Sequence, residues 1–344
     1  MPDGRQADQV HALVRAARMY YEQDMSQEEI ARTLGKSRPT ISRMLAAARE
    51  QGIVHIDIRV PLDRAENLER ALTERFGLSD CRVVVAPRGE AGSVDHLGRV
   101  AADYLQLILQ DGMTLGVSNG RTLASTAKYL APKRALHLDV VQIIGALGNE
   151  DSAIDGPDIA RALAAAYEAR CRYLHVPLLV DDARMRNMLL RDRRVSEVLQ
   201  AGAAADVVLV GVGTQDSRDR SPLFKGFLTE DEIAAIRQAG GVGHICGEHY
   251  SAAGDRLSID VNDRTVGIGL AALANVPRVI AVAGGAVKAP AIAAGVAGGY
   301  LDTLITDDRA AARMLQMPPP HRTKARAARS SDRSGGRAAA QRSS

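Results

Sequence analysis

From Cys81 onward the chain alternates short apolar runs with helical stretches, and that alternation leaves few folds open. CRVVVAP, MTLGVS, LDVVQIIG, DVVLVGVG and RVIAVAGG each read as a strand ending near a turn residue, usually glycine. Between them, VDHLGRVAADYLQLILQ, RTLASTAKYLA, DIARALAAAYEAR and TEDEIAAIRQA repeat apolar residues at helical spacing. Strands that are apolar at nearly every position have no solvent face, so helices must cover both sides of the sheet. The pattern predicts an α/β domain on a Rossmann-like parallel sheet. At 344 residues the chain has length for about two domains. With Trp 0, Phe 3 and Tyr 8, the core must be built from Ala, Val, Leu and Ile. The same scarcity argues against surfaces that stack bases of RNA or single strands.

The first sixty residues have a different grammar. Val10, Leu13, Val14 and Ala17 predict a helix over Asp8 to Gln23. Ser26 with Glu29 forms a capping box opening SQEEIARTLG, which Gly35 ends. Ser37 caps SRPTISRMLAAAREQG, with Pro39 in its first turn and Gly52 just past its end. Ile30, Leu34, Ile41 and Leu45 form the predicted seam. Two short helices joined by a tight glycine turn describe a helix-turn-helix, whose second helix enters the DNA major groove. Lys36, Arg38, Arg43 and Arg49 lie on the third helix with no acid among them, whereas Glu28 and Glu29 precede. Arg38, Thr40 and Arg43 lie in the first two turns, where side chains reach base edges. Lys36 and Ser37 suit backbone phosphates, and Ser42 completes the candidate DNA-binding set. The bland alternative is a three-helix packing module with a solvated basic face. IVHIDIRV then alternates as a strand, a candidate wing or connection, in which His55 is a face residue before it is a ligand.

The net charge of +3 would also suggest nucleic acid, but its distribution matters more. After Met317, seven Lys or Arg (Arg322 to Arg342) against Asp332 give a tail of +6 and leave the body at −3. That tail, rich in Pro, Ser, Gly and Arg, has little to bury and is expected to be disordered. Cys81, Cys171 and Cys246 show no metal-ligand spacing and read as buried small hydrophobes in a reducing compartment. The N-terminus lacks an apolar signal core, and Pro277, Arg278, Lys288 and Pro290 break the longest apolar stretch, so a cytoplasmic protein without a membrane partner is expected.

Ligands of parallel sheets bind beyond the carboxyl ends of the strands. There GVSNGRTL places Ser118, Asn119, Gly120, Arg121 and Thr122 at a helix N-terminus, where N–H groups, hydroxyls and a guanidinium suit an anion such as phosphate. GVGT (Gly211 to Thr214) and AGGAVK (Ala283 to Lys288) are further turns of this kind, the latter with a point charge. Any one glycine turn also serves helix-sheet packing. Neither GxxxxGK[ST] nor GxGxxG with its following acid occurs, so no nucleotide cofactor is expected.

SRPTISRMLAAAREQGIV, GVSNGRTL, GVGT, CGEHYSAAGD, and AGGAVK with GGYLDTLITD together resemble the SorC (SorC/DeoR-type) family of bacterial sugar-responsive transcription regulators, over about Val10 to Leu315. The resemblance implies a winged helix-turn-helix at 1–60, and at 61–316 an effector and oligomerisation domain similar to sugar-phosphate isomerases and deaminases. A tail at 317–344 would follow. It also implies operator DNA and a small sugar, sugar phosphate or polyol as partners, and a homodimer or homotetramer. Carried onto this chain, Ser118, Asn119, Gly120, Arg121 and Thr122 form the anion loop, with Gly145, Gly213, Asp260 and Lys288 around the sugar. Some members have a lysine where Ile144 stands here, so covalent capture of an aldehyde at that place is excluded and binding should be noncovalent. Isomerase chemistry would require a carboxylate or histidine at the sugar. Asp255, Asp260, Asp263 and Glu248 with His249 are the candidates, but carboxylates in such loops are usually solvated or capping, and no enzyme is expected.

Overall fold

Two compact units divide the chain, Met1–Pro61 and Leu62–Ser344, in a computed structural model that describes residues 4–54, 63–85, 90–132, 134–148, 152–216 and 227–318. The IVHIDIRV strand from His55 on and the tail from residue 319 lie outside the described residues.

In the first unit, α1 (Gly4–Tyr21), α2 (Gln27–Leu34) and α3 (Arg38–Glu50) surround a small aliphatic core. Ile30, Ile41 and Leu45 are buried in it, and Leu34 packs at its edge. The capping box at Ser26 is formed in both directions, and Gly35 ends α2 in the left-handed conformation at φ +61°. Helix α1 starts earlier than the periodicity predicts and stops two residues sooner. Gln23 N–H turns back onto the Arg18 carbonyl, and Asp24 takes φ +52°.

The second unit opens with α4 (Glu66–Phe76), whose Leu72 and Phe76 are buried and which Gly77 ends at φ +62°. Ten strands follow among the described residues: β1 (Asp80–Val84), β2 (Thr114–Val117), β3 (Asp139–Gln142), β4 (Arg170–Arg172), β5 (Val207–Val210), β6 (Gly213–Thr214), β7 (Gly241–Ile245), β8 (Glu248–Ser251), β9 (Val279–Val282) and β10 (Thr303–Asp307). Seven form one sheet in the order β1-β10-β9-β5-β2-β3-β4, every pairing parallel. β5 shows why its sequence is continuously apolar: Val208 and Val210 enter one core, and Val207 and Leu209 enter the other. Helices α5 (Glu90–Ile108), α6 (Arg121–Tyr129) and α7 (Gly156–Tyr167) cover the second of these faces. The helix Ala289–Ala297 and the helix Asp308–Leu315 cover the first, together with α4.

The five strands predicted from Cys81 onward are present. β10 escaped prediction because Thr303, Thr306 and Asp307 interrupt its apolar run, although all three are buried. The antiparallel sheet β6-β7-β8 escaped it too. Its hairpin turns at Cys246-Gly247, with φ +53° and +81°, instead of the Asn-Gly or Asp-Gly pair that marks such turns.

Candidate effector cavity and DNA-reading helix

The turns after β2, β5, β9 and β10, which are neighbours in the sheet, open on one cavity of about 690 Å³. Ser118 to Thr122, Gly213 and Lys288 all line it, so three segments far apart in sequence meet as predicted. Gly120 precedes α6 at φ +121° and Gly285 follows β9 at φ +93°, conformations open to glycine and strained for other residues. A Cβ at either position would meet nothing within 4 Å, so backbone conformation, not space, requires glycine here. Neither α6 nor the helical turn Ala286–Lys288 has a cap from its own N-cap side chain, since both N-caps are glycines, and Gly120 and Gly285 both line the cavity.

The electrostatics follow the same sense. Arg121, Lys288 and Arg309 line the cavity, and no Asp or Glu is among the described lining residues. Ser118 is buried at 2% exposure. The Thr122 hydroxyl donates to the Val282 carbonyl at 2.7 Å, so it ties α6 to the end of β9 and is not directed to a ligand. The far wall comes from the small sheet. His244 on β7 packs over Gly213, where a Cβ would stand 1.9 Å from its Nε2. Burial first, then His249 and Lys288, hold the His244 imidazole well below the usual histidine range. Cys246 also faces the cavity, and burial followed by Glu248 pushes its thiol up, so it lines the wall as a small neutral group.

Two predicted ligand residues are placed elsewhere. Gly145 packs under the 177–178 segment, where a Cβ would come within 2.4 Å of the Pro177 carbonyl, and its N–H donates to the Val266 carbonyl. Glycine is required there for close chain packing. Asp260 begins a five-residue helix with a largely exposed side chain and pairs with Arg264. Ile144 is fully buried and is not a lining residue. The carboxylates weighed for catalysis are also away from the cavity. Glu248 accepts from Arg256 at 2.9 Å and from the Leu270 N–H at 2.7 Å. His249 Nδ1 lies 3.2 Å from Asn262 Oδ1, and burial brings its imidazole down to about 4. Asp263 pairs with Arg256 at 3.1 Å, and Asp255 is not among the lining residues.

Sequence reasoning missed Ser93, His244 and Arg309 on the cavity and Asp307 behind it. The Asp307 signal was a strand ending in an acid followed by a helix, the pattern of an N-cap.

In the first unit, Ser37 caps α3 by accepting from the Thr40 N–H at 3.3 Å, and its hydroxyl also meets Thr40 Oγ1 at 2.8 Å. Arg38, Pro39, Ser42 and Arg43 are exposed on one side of α3, opposite the buried Ile41, Leu45 and Ala48. Lys36 and Ser37 are exposed just before it, and Thr40 is half-buried at the margin. Arg43 Nε reaches back to the Pro39 carbonyl at 3.4 Å, a long contact that leaves the guanidinium at the surface.

A helix-turn-helix unit joined to a parallel α/β domain with an anion-suited cavity describes a ligand-responsive DNA-binding regulator. Residues 60–316 match the family model of a putative sugar-binding domain, and residues 8–71 match a Crp-like helix-turn-helix domain. The chain belongs to the SorC/DeoR-type family of sugar-binding transcriptional regulators. It is 35% identical over 300 residues to the deoxyribonucleoside regulator of Bacillus subtilis, covering 87% of this chain and 95% of that one. It is 31% identical to the sorbitol operon regulator of Klebsiella pneumoniae, covering 90% and 99% respectively. The crystal structure of full-length SorC from Klebsiella pneumoniae superposes with a TM-score of 0.68 at 29% identity, over 90% of this chain and 100% of that chain.

Proposed function

We propose that this protein is a cytoplasmic regulator of a carbohydrate-utilisation operon whose operator affinity is set by noncovalent binding of a small phosphorylated sugar or polyol. The observation that carries this reading is the cavity, with Arg121, Lys288 and Arg309 and no carboxylate among its described lining residues. Ser118, Asn119 and Gly120 with the start of α6 take the anion, Lys288 faces it from the β9 turn, and Gly213 lets His244 pack close on the wall that meets the sugar. On α3, Arg38, Thr40, Ser42 and Arg43 read base edges, while Lys36 and Ser37 fix the helix on the phosphates. Homodimeric or homotetrameric assembly would place paired α3 helices in successive major grooves. Ligand binding shifts the population between arrangements of the assembly and so changes DNA affinity.

The cavity's described lining supplies cations, hydroxyls and the His244 imidazole but no carboxylate, a set suited to holding an anion. A regulator without turnover fits that chemistry, and isomerisation of sugar phosphates by the purified protein would overturn it. A second reading, an unphosphorylated sugar alcohol, is supported by the neutral His244 imidazole, which both donates to and accepts from hydroxyls. Calorimetry with matched phosphorylated and free sugars separates the two. Tighter binding of the phosphorylated member, lost in Lys288→Ala, is expected; equal binding of both members would contradict the anion reading.

A further inference from the structure

One charge beside the cavity has no part in the binding described above, and the role assigned to it here depends on the cavity taking an anion. Asp307 ends β10 fully buried. Its Oδ1 caps the helix Asp308–Leu315 by accepting from the Ala310 N–H at 2.8 Å. Its Oδ2 accepts from Ser93 Oγ at 2.9 Å and from the Gly285 N–H at 2.8 Å. Gly284 lies so close that a Cβ would stand 2.5 Å from that oxygen. The carboxylate therefore sits directly behind the Gly284–Gly285 turn that walls the cavity, and these three donors are neutral groups. They satisfy its lone pairs but leave its charge in place. A negative group behind the wall repels an anion in front of it, and screening is weak where water is excluded.

Arg309 answers that charge. It lines the cavity and stands two residues beyond Asp307, in the first turn of the helix that Asp307 caps. Its guanidinium is 4.0 Å from Asp307 Oδ2, within ion-pair range and beyond hydrogen-bond distance, with its side chain 43% exposed. Among the described residues it is the cation paired with Asp307. The fork of N–H groups is thus held near the carboxylate without being bonded to it.

We propose that Arg309 determines the selection of ligand by charge: it offsets the buried Asp307 and presents its guanidinium to the anion, so a charged ligand is held where the wall alone would repel it. A lysine can replace the charge, and a neutral side chain cannot.

The test uses the full chain, with inorganic phosphate as the probe and the phosphate dependence of the thermal midpoint as the readout. Wild type, Arg309→Gln and Arg309→Lys are compared at constant ionic strength. Phosphate is expected to raise the wild-type midpoint. Arg309→Gln should need about tenfold more phosphate for the same rise, the loss of roughly one charge-assisted bond, and Arg309→Lys should stay within about threefold of wild type. Because the readout is the concentration dependence, a lowered starting midpoint in a variant does not obscure it. If Arg309→Gln titrates like wild type, or Arg309→Lys is as weak as Arg309→Gln, the proposal fails while the anion cavity stands. If no chain responds to phosphate, the cavity reading fails and takes the proposal with it.

Discussion

The two units carry recognition in opposite ways. Among its described residues the three-helix unit keeps its polar groups outside: the buried set is Leu, Ala, Met and Ile, and most of its candidate reading residues are exposed on or just before one helix. The α/β unit turns function inward, to a cavity lined by glycines at positive φ and the buried His244, with a buried carboxylate behind its wall. Local chemistry suffices for the first, since caps and charge sorting act within a few residues. The second depends on groups that folding brings together, such as Ser93 and Asp307, separated by 214 positions. A surface helix should therefore tolerate substitutions that the cavity unit does not.

The largest break in that contrast should come from packing. Gly145→Ala places a methyl against the Pro177 backbone and should destabilise the α/β unit by about 3 kcal/mol or more, measured by denaturant unfolding. Ala46→Gly on α3, half-buried at the edge of its exposed side, should cost only about 1 kcal/mol in the same experiment.

Acid should separate the units next. His249 is buried with its imidazole brought down to about 4, from an ordinary value near 6.5. Between those values the unfolded chain binds a proton that the native state does not, so stability falls as pH drops through that window, by about 3 kcal/mol in all. His244 acts in the same direction. The sole histidine among the described residues of the three-helix unit, His11, is exposed. Unfolding followed from pH 7 to 4.5 should show the α/β unit losing stability first, and a pH-independent α/β transition would contradict the burial of this pair.

Smaller effects belong to the surface helices. Arg43→Ala should weaken sequence-specific DNA binding by about 1–3 kcal/mol and relax base preference at one position, read by mobility shift. Ser26→Ala removes the hydroxyl that caps α2 and should cost about 1 kcal/mol in the three-helix unit, with ligand binding unchanged by calorimetry.

Legibility in the sequence follows the same division. Ser26, Gly35, Ser37 and Gly52 marked the helix ends because each acts on its own neighbours. The glycine turns after β2, β5 and β9 were legible as strand ends, and their convergence followed from the rule that parallel strands present their carboxyl ends together. Gly145 and Asp260 were carried over from the family resemblance, and neither is among the lining residues: one serves close chain packing and the other opens a short helix. Arg309 and Asp307 were invisible as a pair, since their meaning lies in the Gly285 turn, distant in sequence and adjacent in space.

The proposed function requires the cavity and α3 to be thermodynamically linked. Operator affinity of the full chain, measured by fluorescence anisotropy with and without a saturating phosphorylated sugar identified by calorimetry, tests it most directly. A change of about tenfold or more, in either direction, that disappears in Lys288→Ala is expected. Operator affinity unmoved by a ligand shown to occupy the cavity would contradict it.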